Sequence, residues 1–281
     1  MTAPLAAAPD IDSLLRKSGG ENFTVAPAFV GRAARAHLDA IYGFARLVDD
    51  LGDELHGDRL AALEWLEGDL DRAFAGDPEH PLMRTLAATI RALRLPRDPF
   101  ARLIEANRVD QTGTGYETFD QLVGYCHLSA DPVGELVLHV FGAATPERVA
   151  LSDLVCTALQ LVEHWQDVGE DAARGRVYLP AEDRRLFGVE DAELRAGGAS
   201  YELRALLAYE CERARKLLDD GARLVGTLGG RARLAVAGYV GGGRAALDTL
   251  RRAGYQVLPR APRAPRAAIA RAALATCARG R

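Results

Sequence analysis

Apolar residues recur at helical spacing along most of the chain, and the alternation expected of half-buried strands is missing throughout. Between Arg32 and Leu55, Leu38, Ile41, Ala45 and Val48 fall on one face, with Phe44, Leu47 and Leu51 less regularly placed, so the pattern predicts a long amphipathic helix. Leu63, Leu66, Leu70 and Phe74 predict a second helix over 60–74, and a third over 81–95 follows the turn-like Ala75-Gly76-Asp77-Pro78. The periodicity continues over 100–110 and breaks at Thr112-Gly113-Thr114-Gly115. Thr118 is placed to cap a helix through Leu122 and Tyr125, and Asp131-Pro132 interrupts that segment before 133–141 resumes. A helix over 151–171 carries Leu154, Ala158, Leu161 and Trp165 on its apolar side and ends before Arg174-Gly175-Arg176. Two more helices are predicted over 201–225 and 231–257, so an all-α bundle of eight or more helices is the economical architecture.

Composition agrees, because Ala, Leu and Arg dominate while aromatics are only 6%. With 281 residues, 48% of them apolar, the chain can bury a substantial core. No domain-scale linker precedes Pro259; the expected organisation is a single domain over 20–258, flanked by an extension over 1–19 and an Arg/Pro/Ala-rich tail over 259–281. The four cysteines form no Cys-x-x-Cys or Cys/His metal spacing and read as reduced thiols. Residues Met1 to Asp12 lack a basic region ahead of their apolar run, so no signal peptide is expected, and no apolar stretch approaches the ~18 residues of a membrane span. A cytoplasmic protein is expected.

Charge is unevenly spread. No acidic residue follows Asp248, while eight arginines do, which leaves about −12 on residues 1–250. The tail reads either as a solvated, partly disordered Pro/Arg segment or as a contact for an anionic surface, with a peripheral membrane contact preferred to nucleic acid.

Candidate chemistry lies in two acidic rows. Asp49 and Asp53, and likewise Asp167 and Asp171, are i,i+4 pairs if helical, with Glu163 one turn before the second pair. Carboxylates at that spacing, roughly 5–6 Å between Cβ atoms, repel by roughly 2–3 kcal/mol at an effective dielectric of 20. A hard divalent cation relieves this, and Mg²⁺ is typically held by one or two carboxylates while it clamps a substrate phosphate. Tyr42 and Arg46 precede Asp49 on the same face, and Arg174 and Arg176 follow Asp171; planar guanidinium forks suit phosphate. Acids for a metal beside arginines for its anion define a candidate diphosphate site.

Three ordered segments carry a resemblance. Ile41-Tyr42-Gly43-Phe44-Ala45-Arg46-Leu47-Val48-Asp49-Asp50-Leu51-Gly52-Asp53, Tyr116-Glu117-Thr118-Phe119 through Tyr125-Cys126, and Gln166-Asp167-Val168-Gly169-Glu170-Asp171 through Leu179-Pro180 resemble the squalene/phytoene synthase family. The resemblance implies an isoprenoid synthase helix bundle with a central cavity between two aspartate-rich helices, Mg²⁺ as cofactor and an isoprenoid diphosphate as substrate. It implies metal positions at Asp49, Asp50, Asp53, Asp167 and Asp171, with Glu163 as a further carboxylate where many relatives carry Asn. Tyr42, Arg46 and Tyr125 take catalytic positions, and Asn22, Arg46, Gln160, Arg174, Arg176 and Tyr178 bind the diphosphate.

Residues 21–26, Leu128-Ser129-Ala130-Asp131-Pro132-Val133-Gly134 and His164-Trp165-Gln166-Asp167 are similar to the hopanoid-pathway branch of that family, the hydroxysqualene synthases. The implied reaction is ionisation of presqualene diphosphate, rearrangement and water capture, and handover to other hopanoid-pathway enzymes is the expected partner relation. Gln166 stands where many relatives carry Arg, a lost cation that fits an enzyme handling one diphosphate. The alternatives are a head-to-head prenyl transferase making presqualene diphosphate, squalene or phytoene, a carboxylate-bridged di-metal bundle, and a non-catalytic scaffold. The di-metal bundle usually requires Glu-x-x-His on two helices, and the chain has none. His127 and His164 read as supporting residues, Trp65 and Trp165 as packing. Gly241-Gly242-Gly243 has no strand before it, so it reads as packing rather than a dinucleotide loop.

Overall fold

Helix ends follow local chemistry along the chain. The computed structural model describes residues 30–113 and 115–280; Asn22 and the 21–26 segment lie outside them. Among the described residues there is no strand. Those residues divide into two compact units, one built from the chain up to Thr112 with Glu135–Ala144, the other from Gly113–Gly134 and the chain from Thr145 onward.

In the first unit, α1 (Arg32–Asp49) leads into a π-helical turn (Asp50–Glu54), followed by α2 (Arg59–Ala75), α3 (Pro81–Leu93) and α4 (Asp98–Thr112). Asp58 caps α2 by accepting from the Ala61 amide at 3.0 Å, and Gly76 ends it in the left-handed conformation at φ 100°. The apolar face of α1 is wider than the 38/41/45/48 stripe: Phe44 and Leu47 are as buried as Leu38, whereas Ala45 is half-buried. Phe44 meets Phe100 of α4 edge-on, ring centroids 5.2 Å apart. Asp69, fully buried on α2, accepts from the amides of Glu79 and His80 at 2.7 and 3.0 Å and fixes the entry to α3.

In the second unit, α5 (Phe119–Ser129) starts at the capping box of Thr118 and Gln121. After α6 (Asp131–Val140), whose residues are divided between the two units, comes α7 (Pro146–Gln166), capped by Thr145. The remaining helices are α8 (Val168–Ala173), α9 (Ala181–Phe187), α10 (Tyr201–Gly221), the short α11 (Leu224–Thr227), α12 (Gly230–Arg252) and α13 (Arg266–Arg279). α10 packs along α7, and α13 packs along α12. A tail that is only solvated and partly disordered is therefore corrected over 266–279. Gly241 permits this approach, since a Cβ there would overlap the backbone nitrogen of Ala273, while Gly243 faces α7, where a Cβ would lie 2.7 Å from Leu159 Cδ2. The triplet is packing, as its helical context predicts.

Glu210 on α10 is fully buried beside Asp183 of α9, with Arg213 3.7 Å away. Burial, then the Asp183 carboxyl, pushes the Glu210 pKa up to about 8 from 4.5. The folded chain keeps a proton that the unfolded chain releases, so this group's stabilisation is complete below pH about 4.5 and is lost as pH rises to about 8. Glu210→Gln is expected to raise thermal stability at pH 8.5, on the order of 2 kcal/mol, and to change it little at pH 4.5. Melting curves across that range check it, and an equal shift at both pH values contradicts the assignment.

Candidate functional site

The first acidic row ends α1. The single predicted helix to Leu55 needs correction, because the backbone widens at Asp50–Glu54 and the Leu55 amide bonds to Asp50 O at 3.0 Å. α4 supports the widened turn. Gln111 Nε2 donates to Gly52 O at 3.0 Å, and Asn107 Nδ2 lies 3.4 Å from Asp49 Oδ1. Gly52 is required for this approach, since a Cβ there would overlap Asn107 Oδ1. Sequence reasoning missed Asn107 and Gln111, which sit more than fifty positions from their partners.

Arg46 stands over the row, 3.6 Å from Asp49 and 3.7 Å from Asp50, and its buried Nε has no hydrogen-bond partner among the described residues. Tyr42 is buried one turn earlier, and Asp53 is exposed. Burial raises the Asp49 pKa to about 7, opposed by Arg46 and Asn107 and reinforced by Asp53 and Asp50. With 47% of its side-chain surface open to solvent, hydration tempers that rise.

The second row is split, not carried on one helix. α7 stops at Gln166, Asp167 adopts φ −102° and ψ 14°, and α8 begins at Val168, so Glu163 and Asp171 lie on different helical pieces. Helical bonding nevertheless continues across the break, from the Asp167 amide to Glu163 O at 2.9 Å and from the Asp171 amide to Asp167 O at 2.8 Å. Burial raises the Asp167 pKa, Arg263 lowers it, and Asp171 and Glu170 raise it again.

Arg263 was not foreseen. Its Nη2 donates to Asp167 Oδ1 at 3.0 Å and its Nη1 to Gln166 Oε1 at 3.5 Å, while Gln166 Nε2 reaches Pro262 O at 3.4 Å. The expectation that Gln166 simply leaves this row short of a cation is corrected, because the chain returns one from position 263. Gly169 makes room for the returning segment, as a Cβ there would lie 2.7 Å from Leu258 Cδ2.

Around the same row stands an aromatic cluster. Tyr178 stacks on His164 with centroids 3.8 Å apart, and Tyr125 lies 5.7 Å from Tyr178 and 6.2 Å from His164. His164 also lies 3.2 Å from Gln160 Nε2 and 3.9 Å from Asp171 Oδ2, so it links residues that the sequence treats separately. The segment bearing Arg174, Arg176 and Tyr178 is pinned by backbone bonds, from Arg176 N to Asp171 O at 2.9 Å and from Ala181 N to Tyr116 O at 2.9 Å. Arg174 is exposed and Arg176 half-buried.

Among the described residues, no three His, Cys, Asp or Glu side chains form a ready-made metal cluster. Each row offers carboxylate oxygens beside an arginine, and the buried unpartnered Arg46 Nε is suited to an anion. That donor set fits a hard divalent ion completed by water and substrate phosphate better than an all-protein cage.

Residues 16–269 match the family model for squalene/phytoene synthase. The chain belongs to the squalene/phytoene synthase family and is an enzyme with the isoprenoid synthase fold. Members of this family act on isoprenoid diphosphates and use divalent metal ions.

Its structure superposes on that of squalene synthase HpnC from Alicyclobacillus acidocaldarius with a TM-score of 0.81 and 46% identity, covering 87% of this chain and 93% of that one. The phytoene synthase of Thermus thermophilus is 33% identical, covering 92% of this chain and 90% of the relative. That of Arthrospira platensis is 35% identical and covers 67% of each. The chain spans about half the length of the chloroplast phytoene synthases it matches.

Proposed function

We propose that the chain is a hydroxysqualene synthase, which ionises presqualene diphosphate, lets the cation rearrange and captures it with water. The 46% identity to the squalene synthase HpnC structure, against 33% to the phytoene synthase matched over a comparable length, supports that branch of the family, and the hydroxysqualene product is proposed from the likeness of residues 128–134 and 164–167 to the hydroxysqualene synthases. Asp49, Asp50, Asp53, Glu163, Asp167 and Asp171 are the proposed Mg²⁺-holding residues. When bound, Mg²⁺ would supply Lewis-acid stabilisation of the departing diphosphate's charge.

Arg46, Arg174 and Arg176 hold diphosphate oxygens, aided by Asn22, Gln160 and Tyr178, and Tyr42 supports Arg46. The face of Tyr125 stabilises the organic cation. One turn beyond Tyr125 on α5, Ser129 presents a buried Oγ with no hydrogen-bond partner among the described residues, a polar atom suited to hold the capturing water. Asp131, two residues further on, is fully buried and is bonded by Thr157 Oγ1 at 3.0 Å and by His127. Handover of the product to later hopanoid-pathway enzymes belongs to the same proposal, as does a cytoplasmic location with peripheral contact to a membrane.

One observation favours the alternative of a prenyl transferase using two prenyl diphosphates: Arg263 restores a cation beside the second row. Purified protein with Mg²⁺ is expected to convert presqualene diphosphate to hydroxysqualene and to yield no hydrocarbon or alcohol from farnesyl diphosphate alone. Gas chromatography of the extracted products decides between the two, and product from farnesyl diphosphate overturns the hydroxysqualene reading.

A further inference from the structure

We propose that the groove between α10, α12 and α13 holds the phosphate of an anionic phospholipid headgroup and so seats α13 on a membrane surface. The groove, about 700 Å³, gathers Arg215, Arg244, Arg252, Arg271 and Arg279 against only Asp219 and Asp248. Both carboxylates are already engaged: Arg215 lies 3.1 Å from Asp248, and Arg244 lies 2.6 Å from Asp219 while also donating to Thr276 at 2.9 Å. Arg271 and Arg279 make no ion pair among the described residues, although they lie two turns apart on one side of α13 and line the same groove. Guanidinium forks with spare donors and no competing acid select a phosphate or carboxylate anion.

The ligand's remaining chemistry is read from the outer face of α13. Ala267, Ala270, Leu274 and Ala278 are exposed at spacings of three and four, Leu274 at 72%, next to the unpaired arginines. That strip is narrow, three alanines and one leucine, so attraction to a surface comes mainly from the arginines, with Leu274 entering the headgroup layer beside them. A free phosphate would use the guanidiniums and leave that strip without purpose, whereas a phospholipid surface uses both. No acid follows Asp248, so nothing on this helix repels an anionic surface. No helix among the described residues is long and apolar enough to cross a membrane, which leaves contact along the surface as the mode for α13.

Co-sedimentation of the full chain with phosphatidylglycerol vesicles, and separately with phosphatidylcholine vesicles, tests this. Wild type is expected to bind the first and not the second. The double variant Arg271→Gln/Arg279→Gln is expected to bind about 25-fold more weakly, about fivefold per arginine. Arg271→Lys/Arg279→Lys is expected to retain most of the binding, and circular dichroism to match wild type for both. Diphosphate release from soluble substrate is expected to stay at the wild-type level, since neither residue belongs to the proposed catalytic set. Absence of binding, equal binding to both vesicles, or indifference to the glutamine variant overturns the proposal. Calorimetric binding of inorganic phosphate that depends on these arginines without vesicle binding assigns the groove to a free anion and also overturns it. The vesicle assay uses no substrate, so it stands whether or not the proposed reaction does.

Discussion

Asp49→Asn and Asp167→Asn are each expected to lower diphosphate release from presqualene diphosphate by about 10²–10³-fold, the scale lost when one preorganised electrostatic group is removed from an active site. The substitution preserves shape and removes charge. At position 49 it leaves Arg46 with Asp50 as its remaining close carboxylate, and at 167 it weakens the Arg263 contact. Stability is expected to move the other way or not at all, because both aspartates sit where burial and like charge oppose ionisation. Loss of rate with an unchanged or higher melting temperature distinguishes a catalytic carboxylate from a structural one. A non-catalytic scaffold would leave diphosphate release unchanged in both variants, and that result would remove the enzyme reading of the two rows.

Gly52→Ala is expected to cost on the order of 10²-fold in rate, with a stability loss of about 1–3 kcal/mol. The added methyl group overlaps Asn107 Oδ1, so either Asn107 swings away from Asp49 or the π-helical turn shifts. Either movement displaces the first acidic row without deleting a carboxylate. Asn107→Ala removes the clashing atoms and also the contact to Asp49, so the Gly52→Ala/Asn107→Ala double variant is expected to lose less than the sum of the two single losses. Rates and melting temperatures of the four proteins complete the cycle. Strict additivity would show that residues 52 and 107 act independently.

Features encoded within a few residues were legible in the sequence. Thr118 with Gln121, Asp131-Pro132 and Ala75-Gly76-Asp77-Pro78 each mark an element boundary by caps or backbone restriction, and each lies at one. The acidic rows and their arginines were likewise visible as local motifs. What escaped reading depends on distant partners. The turn at Asp50–Glu54 is supported from α4, and the break at Asp167 is accompanied by contacts from the segment around Arg263. Neither partner can be inferred from helical periodicity, which is blind to what packs on the opposite side. The α13 helix was missed for another reason: its alanines supply no broad apolar stripe, so an Ala/Arg segment looked like a solvated tail.

The α12/α13 contact inverts the usual ranking of residues by importance. Glycine within a helix ordinarily costs about 1 kcal/mol relative to alanine and invites replacement. Here the missing side chain of Gly241 is the space that the Ala273 backbone occupies. Close fit, not large apolar area, joins these helices, so the permitted volume at 241 has almost no upward margin. Over evolutionary time such a seam tolerates changes of charge and polarity on its outer side while resisting the gain of a single methyl group inside it.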